Sequence, residues 1–107
     1  MDEQELLNVF PNFNIINFII TIPLSEINKV VTTKDIIVIK YVFDCHCYYQ
    51  NPRKTEYYIC KKKGGGITIK DLVNCLIEND FAPQCNHIFL ESFDLNSEVQ
   101  VTPWFGS

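Results

Sequence analysis

The chain has 107 residues, of which 47% are hydrophobic and 21% charged, and its formal net charge is −4. This length supports one domain with its own core, and the composition excludes a disordered or fibrous chain. We therefore expect residues 1–107 to form a single domain. The acidic balance disfavours general nucleic-acid binding, so no nucleic-acid partner is expected.

The N-terminal residues and the longest apolar stretch bear on where the protein is found. The chain opens with Asp2, Glu3 and Glu5, whereas a secretory signal begins with basic residues. The apolar stretch from Phe13 to Ile22 has about half the length that a membrane-spanning helix needs. We expect an intracellular, cytoplasmic protein without a membrane partner. The abundance of isoleucine, asparagine and lysine is typical of AT-rich genomes, including those of large DNA viruses, and for a viral protein the virion is the alternative location.

The first third of the chain predicts two helices separated by a buried strand. Residues Asp2 to Phe10 place their apolar side chains on one side of a short helix, which Pro11 would end. Residues Ile15 to Ile22 are rich in β-branched side chains, as in a strand buried on both faces. Ser25 has the character of an N-cap for a second short helix that would include Val30 and Val31.

The middle of the chain predicts a long β-hairpin. From Asp35 to Tyr49 every second residue, beginning with Ile37, is apolar or aromatic, which predicts a strand with one buried face, and Thr55 to Cys60 resembles the returning strand. Asn51 to Lys54 has turn composition. A four-residue turn at this place predicts a register in which Cys45 lies directly opposite Cys60.

The last third predicts a helix and two further strands. Thr68 and Asp71 have the spacing of a capping box at the start of that helix, and the strands are expected over His87 to Phe93 and Val99 to Thr102. The order β-α-β-β-α-β-β indicates an α+β fold, an antiparallel sheet with two helices on one face. A ferredoxin-like arrangement with a long hairpin is the best single topology. The apolar stripe of the helix comprises Ile69, Leu72, Val73, Leu76 and Ile77.

All five tyrosines lie on the predicted hairpin, and four of them surround its outer end. Tyr48 and Tyr57 would point to one face, and Tyr49 and Tyr58 to the other. A hairpin end that is aromatic on both faces has to be covered twice or bind a partner, and tyrosine is enriched at interfaces. We interpret these four residues as an interface, with a second copy of the chain as the expected protein partner.

A group of soft ligands lies in the same region and leaves three interpretations open. The group comprises Cys45, Cys47, Cys60, Cys85 and His87. It could bind zinc, although its spacing differs from that of structural zinc sites. It could contain a disulfide between Cys45 and Cys60 in an oxidising environment, or it could consist of reduced thiols that fill space in the core. The intracellular setting favours reduced thiols, and therefore no cofactor, with zinc as the alternative.

A lysine and three glycines precede the second predicted helix and form a candidate anion-binding loop. These residues are Lys63, Gly64, Gly65 and Gly66. A helix N-terminus offers free N–H groups to an anion. A phosphate-binding loop, however, has its lysine after the glycines, so a flexible connection is the simpler interpretation.

No arrangement of residues in the sequence predicts catalysis. His87 and Cys85 are the only thiol–imidazole pair of suitable spacing, and nothing near them suggests an oxyanion hole. We expect a small non-enzymatic interaction or structural module that self-associates through its tyrosine-rich hairpin. A small regulatory protein that binds zinc through cysteine and histidine is the alternative.

Overall fold

The structure is a computed structural model that describes residues 3–14, 17–43, 54–83 and 86–106. Within these ranges the chain forms two α-helices and seven β-strands. The helices are α1, Glu3–Val9, and α2, Ile69–Glu78. The strands are β1 Ile19–Ile20, β2 Val30–Thr32, β3 Ile36–Phe43, β4 Lys54–Lys61, β5 Ile67–Thr68, β6 Phe89–Ser97 and β7 Gln100–Gly106. None of the described helices is long and apolar enough to cross a membrane.

Five strands form one sheet in the order β1-β6-β7-β3-β4, and β2 and β5 form a separate two-stranded ribbon. The sheet is mixed. The pairs β3–β4 and β6–β7 are antiparallel, whereas β1–β6 and β3–β7 are parallel. Strands that follow each other closely in the chain form hairpins and are antiparallel, and strands brought together by long connections are free to run parallel. The α+β class is confirmed, but the expectation of an antiparallel sheet is wrong.

The ferredoxin-like topology is not confirmed either. A split β-α-β arrangement places the first strand inside the sheet, between other strands. Here β1 lies at one edge and pairs only with β6, through Ile19 with Phe89 and Ile20 with Leu90. The β3–β4 hairpin forms the other edge.

Segments before β3 agree only in part with the sequence prediction. The leading helix is confirmed as α1, whose Leu6 is buried. The predicted helix after Ser25 is wrong, because only a single 3-10 turn, Leu24–Glu26, forms there. Val30 and Val31 belong instead to β2, which pairs with β5. β-branched side chains favour this extended conformation over a short helix.

Helix α2 begins as its sequence predicts. The Thr68 hydroxyl accepts a hydrogen bond from the backbone N–H of Asp71, and the Asp71 carboxylate accepts one from the backbone N–H of Thr68 at 2.9 Å. This reciprocal pair satisfies two N–H groups that would otherwise lack a partner at the start of the helix. Leu72, Val73 and Leu76 are fully buried, which confirms the predicted apolar stripe.

One face of the sheet, the inward face, is buried against α2 and the N-terminal segments. Ile37, Ile39 and Tyr41 point to this side from β3, and Cys60 does so from β4. At its centre the Phe81 ring, which follows α2, contacts four other aromatic rings at centroid distances of 4.8–6.1 Å. Those rings belong to Phe18, Tyr41, Tyr58 and Phe105.

Candidate functional site

The β3–β4 register differs from the predicted one by eight residues. Cys60 pairs with Ile37, and Phe43 pairs with Lys54, so Lys54 belongs to a strand and not to a tight turn. The prediction that Cys60 lies opposite Cys45 is therefore wrong, although Cys45 itself lies outside the described residues. Because eight is an even number, the shift leaves the described side chains from Ile36 to Val42 and from Thr55 to Lys61 on their predicted faces of the sheet.

Of the four tyrosines of the predicted interface, two lie outside the described residues, one is exposed and one points into the core. Tyr48 and Tyr49 lie outside the described residues, and their predicted role stays a prediction. Tyr57 points away from the core and is 61% exposed. Tyr58 points inward, where its ring meets Phe81 edge to face at 5.6 Å. Tyr58 therefore contributes to the core, and of the two described tyrosines only Tyr57 is available to a partner.

The hydroxyl of Tyr58 is fixed by a carboxylate two residues away on the same strand. It donates a hydrogen bond of 2.7 Å to the Glu56 carboxylate. Burial and this hydrogen bond raise the pKa of Tyr58 above its ordinary value, and the negative charge of Glu56 acts in the same direction. Tyr58 remains a neutral donor at any physiological pH.

The second face of the sheet, which we call the open face, carries several large exposed apolar side chains. Ile59 is 59% exposed on β4 next to Tyr57, Trp104 is 56% exposed on β7, and Ile36 is 48% exposed on β3. Strand alternation places them all on the side opposite Ile37 and Val101, which are fully buried. Isolated exposed apolar residues are ordinary, but a group on one sheet face is typical of an interaction surface.

Cross-strand pairing brings these side chains into neighbouring rows on the open face. Val38 lies between Ile59 on β4 and Gln100 on β7, because it pairs with both. In the next row Lys40 pairs with Tyr57. These pairs join the exposed apolar residues of β3, β4 and β7 into one surface.

The sequence analysis missed Trp104 as a surface residue, because Pro103 suggested that the last strand ended at Thr102. In the structure β7 continues to Gly106, and Pro103 pairs with Phe93 of β6. The two β3–β7 pairs end at Val101, so Pro103 lies past the part of β7 that pairs with strands on both sides. The alternation of buried Val101 and Pro103 with Trp104 would have been the sequence signal for an outward-facing tryptophan.

Charge is distributed unevenly across the open face. All nine basic residues of the chain lie between Lys29 and Lys70, so β6 and β7 carry none. On the β3–β4 side, Lys40 and Lys61 point to the open face, whereas on the β6 side Asp94 does so through its pairing with Thr102. The β3–β4 half of the face therefore carries two lysines, which makes it the basic half, and the β6–β7 half carries Asp94 and no basic residue, which makes it the more acidic half.

The soft ligands are only partly within the described residues. Cys45, Cys47 and Cys85 lie outside them, and His87 is a half-buried residue that precedes β6. Within the described ranges no three His, Cys, Asp or Glu side chains lie close enough to hold a metal ion. The zinc and disulfide interpretations that involve the remaining cysteines stay predictions.

Cys60 lies near a second buried thiol. Cys75 of α2 is buried to 6% exposure, and Cys60 is equally buried. The neighbouring Cys75 thiol, together with burial, raises the pKa of Cys60. The neighbouring Cys60 thiol lowers the pKa of Cys75 against the opposing effect of burial, and the side-chain amide of Asn79 contributes in the same direction.

The candidate anion-binding loop already has carboxylates of this chain as partners. The backbone N–H of Gly64 donates to the Asp35 carboxylate at 3.2 Å. The Asp71 carboxylate occupies the N-terminus of α2 and also binds the Lys62 ammonium group at 3.0 Å. These contacts use donors that an external anion would need, so they do not favour an anion site at Lys63 to Gly66.

The carboxyl group of Asp71 is held in its ionised form by its neighbours. Burial acts to raise the pKa of Asp71, but hydrogen bonds from Thr68 and Lys62 outweigh it and keep the pKa below its ordinary value. The residue therefore has a structural role at the start of α2.

Comparison with known protein families, curated proteins and solved structures finds no match to this chain. The arguments about function therefore rest on the open face and on the pair of buried thiols.

Proposed function

We propose that this protein is a small non-enzymatic interaction module that self-associates through the open face of its sheet. The single observation that carries the proposal is the set of exposed side chains Tyr57, Ile59 and Trp104 on one face. This surface replaces the two-sided tyrosine hairpin as the contact, because Tyr58 points into the core.

A second copy of the chain is favoured as the partner by the distribution of charge. The basic half of the open face adjoins its acidic half across the β3–β7 pair. A two-fold axis parallel to the strands, between β3 and β7, would place the basic half of one copy over the acidic half of the other. Lys40 would then approach Asp94 of the second copy, since facing sheets pack about 10 Å apart.

The size of the face sets the expected strength of association. Four strands about 4.8 Å apart and eight residues long cover about 500 Å² in projection. A standard interface buries about 800 Å² on each partner, so the face is at the small end of specific interfaces. We therefore expect a weak, concentration-dependent dimer with a dissociation constant on the order of tens of micromolar or higher.

Sedimentation equilibrium from about 5 to about 500 μM spans the range expected for such a dimer. The average mass of the wild type should rise with concentration from the monomer mass of 12.5 kDa towards twice that value. Ile59→Ser removes an exposed apolar side chain from the open face and should weaken association at least about fivefold.

Leu95→Ser is the matched control, because Leu95 is 55% exposed but pairs with Val101, whose side chain points to the inward face. It should leave the association constant unchanged. A wild type that stays monomeric over the whole range, or equal weakening by both substitutions, would contradict the proposal.

A further inference from the structure

Two cysteine side chains are enclosed together where α2 packs on the edge strand β4. Cys60 and Cys75 are both free thiols, and each is only 6% exposed. Cα atoms of α2 and β4 approach within 8 Å of each other, which is a close contact for a helix on a sheet. Small side chains at the contact permit this approach, and cysteine is small enough to serve as such a spacer.

The hydrogen bonds of the two thiols show how closely they are placed. The Cys60 thiol lies 3.7 Å from the carbonyl oxygen of Asp71, one helical turn before Cys75. The Cys75 thiol lies 3.6 Å from the carbonyl oxygen of Ile59, the residue next to Cys60. The Cys75 sulfur thus contacts the residue next to Cys60, and the Cys60 sulfur contacts the helix one turn before Cys75.

We propose that Cys60 and Cys75 form a redox-active dithiol that closes to a disulfide and links α2 to β4. The Cys60–Cys75 disulfide differs from the Cys45–Cys60 disulfide that the predicted hairpin register suggested. Cys60 lies opposite Ile37 in the sheet, and its side chain points to the helix. The proposal concerns residues of the core and does not depend on the association proposed for the open face.

Hydrogen peroxide is a sufficient oxidant for the reaction. One thiol gives up its proton, and the thiolate attacks a peroxide oxygen; the O–O bond breaks, a sulfenic acid forms, and the leaving hydroxide takes up the released proton to give one water. The second thiol then attacks the sulfenic sulfur, the S–S bond forms, and the hydroxyl leaves with a proton as a second water. Two sulfur atoms together lose two electrons, and the peroxide gains them.

The environment of the pair assigns the first step to Cys75. The neighbouring Cys60 thiol favours the thiolate of Cys75 and lowers the pKa of Cys75. Asn79 donates a further hydrogen bond to the Cys75 sulfur at 3.8 Å. Burial of both groups makes the reaction slower than that of an exposed thiolate.

The test uses the full chain with Cys45→Ser, Cys47→Ser and Cys85→Ser, so that only Cys60 and Cys75 remain. After treatment with hydrogen peroxide, the intact mass of the monomer should fall by two hydrogen atoms, and dithiothreitol should restore it. Cleavage after lysine should then release residues 55–61 joined to residues 71–107, which carry the two cysteines.

Adding Cys75→Ala to this variant supplies the control, which should lose no hydrogen and form no linked peptide. The disulfide closes a loop of about 15 residues, so the oxidised protein should melt roughly 10 °C higher than the reduced one. Wild-type protein examined by the same peptide mapping should contain the same linked pair, which guards against a folding defect in the triple variant.

Four results would overturn the proposal. The first is a mass that increases by whole oxygen atoms on oxidation. The second is a disulfide that joins two copies of the chain and not two cysteines of the same copy. The third is a protein in which both thiols remain open to alkylation after oxidation and unfolding. An oxidised form that melts lower than the reduced form would show that the thiols are not placed for a bond in the native fold.

Discussion

The rings of Tyr41 and Phe81 meet edge to face with their centroids 4.8 Å apart, and this contact joins the interior strand β3 to the segment that follows α2. Phe81 is only 2% exposed. It also stacks on Phe105 of β7 at 5.4 Å, so one side chain joins two strands and the end of the helix.

Truncation of Phe81 should therefore destabilise the whole fold. Phe81→Ala removes a buried ring and leaves a cavity between the sheet and α2, which is expected to cost about 3–5 kcal/mol of unfolding free energy. Phe81→Leu, which fills part of the space, should cost less. Urea denaturation of both variants measures the difference, and a cost below about 1 kcal/mol for Phe81→Ala would show that the ring is not central to the core.

The glycine loop before β5 provides a matched pair of substitutions. Gly65 and Gly66 have nearly the same left-handed backbone conformation, with φ of +77° and +78°. A Cβ atom at Gly65 meets nothing within 4 Å, whereas one at Gly66 would lie 2.9 Å from Cγ1 of Val30 and 3.1 Å from the carbonyl oxygen of Thr32.

Alanine at either glycine adds left-handed strain of about 1–2 kcal/mol, but only at Gly66 does it also collide with β2. Gly66→Ala should therefore lower the free energy of unfolding by at least about 1 kcal/mol more than Gly65→Ala. Denaturant titration of the two variants isolates the contribution of the collision. Equal effects would mean that β2 does not pack against this loop.

The ionised Asp71 carboxylate should make stability depend on pH in the acid range. Its pKa in the folded protein lies below the unfolded value of 3.8, so its contribution is fully present above that value. The contribution is lost as the pH falls from about 4 through the lower, folded pKa. Asp71→Asn should be less stable than the wild type at neutral pH, and the difference should shrink below about pH 4.

Thermal unfolding of the wild type and Asp71→Asn at several pH values measures this difference. Glu3→Gln is the control, because it removes an exposed carboxylate on a different helix, α1. If the difference in stability between the wild type and Asp71→Asn stays constant from pH 7 to below about pH 4, the assigned role of the carboxylate is contradicted.

Association through the open face should respond to charge reversal in its acidic half. Asp94→Lys makes both halves of the face basic and should weaken self-association, with a smaller effect in high salt because the repulsion is screened. Glu78→Lys makes the same change in net charge at the exposed end of α2, on the side of the sheet opposite the open face. Sedimentation equilibrium of both variants should show weakening for Asp94→Lys alone; tighter association would exclude the proposed arrangement.

Local features of the fold were predictable from the sequence because their causes are local. The capping box of Thr68 and Asp71 and the apolar stripe of α2 follow from spacing within one helix. The inward side of β3 follows from alternation within one strand, as buried Ile37 and Ile39 confirm. These features do not depend on which strands become neighbours.

Relations between distant segments could not be predicted in the same way. Alternation is satisfied by any even shift of register, so it could not distinguish Cys45 from Ile37 as the partner of Cys60. The parallel β3–β7 pair and the contact of Cys60 with Cys75 arise only after the sheet order is set.

The proposal of self-association through the open face is tested most directly by isotope-filtered NMR on a mixture of labelled and unlabelled protein at high concentration. The account predicts intermolecular nuclear Overhauser effects that join Tyr57, Ile59 or Trp104 of one copy to the open face of the other. Intermolecular effects confined to the helices, or a protein that stays monomeric and gives none, would contradict it.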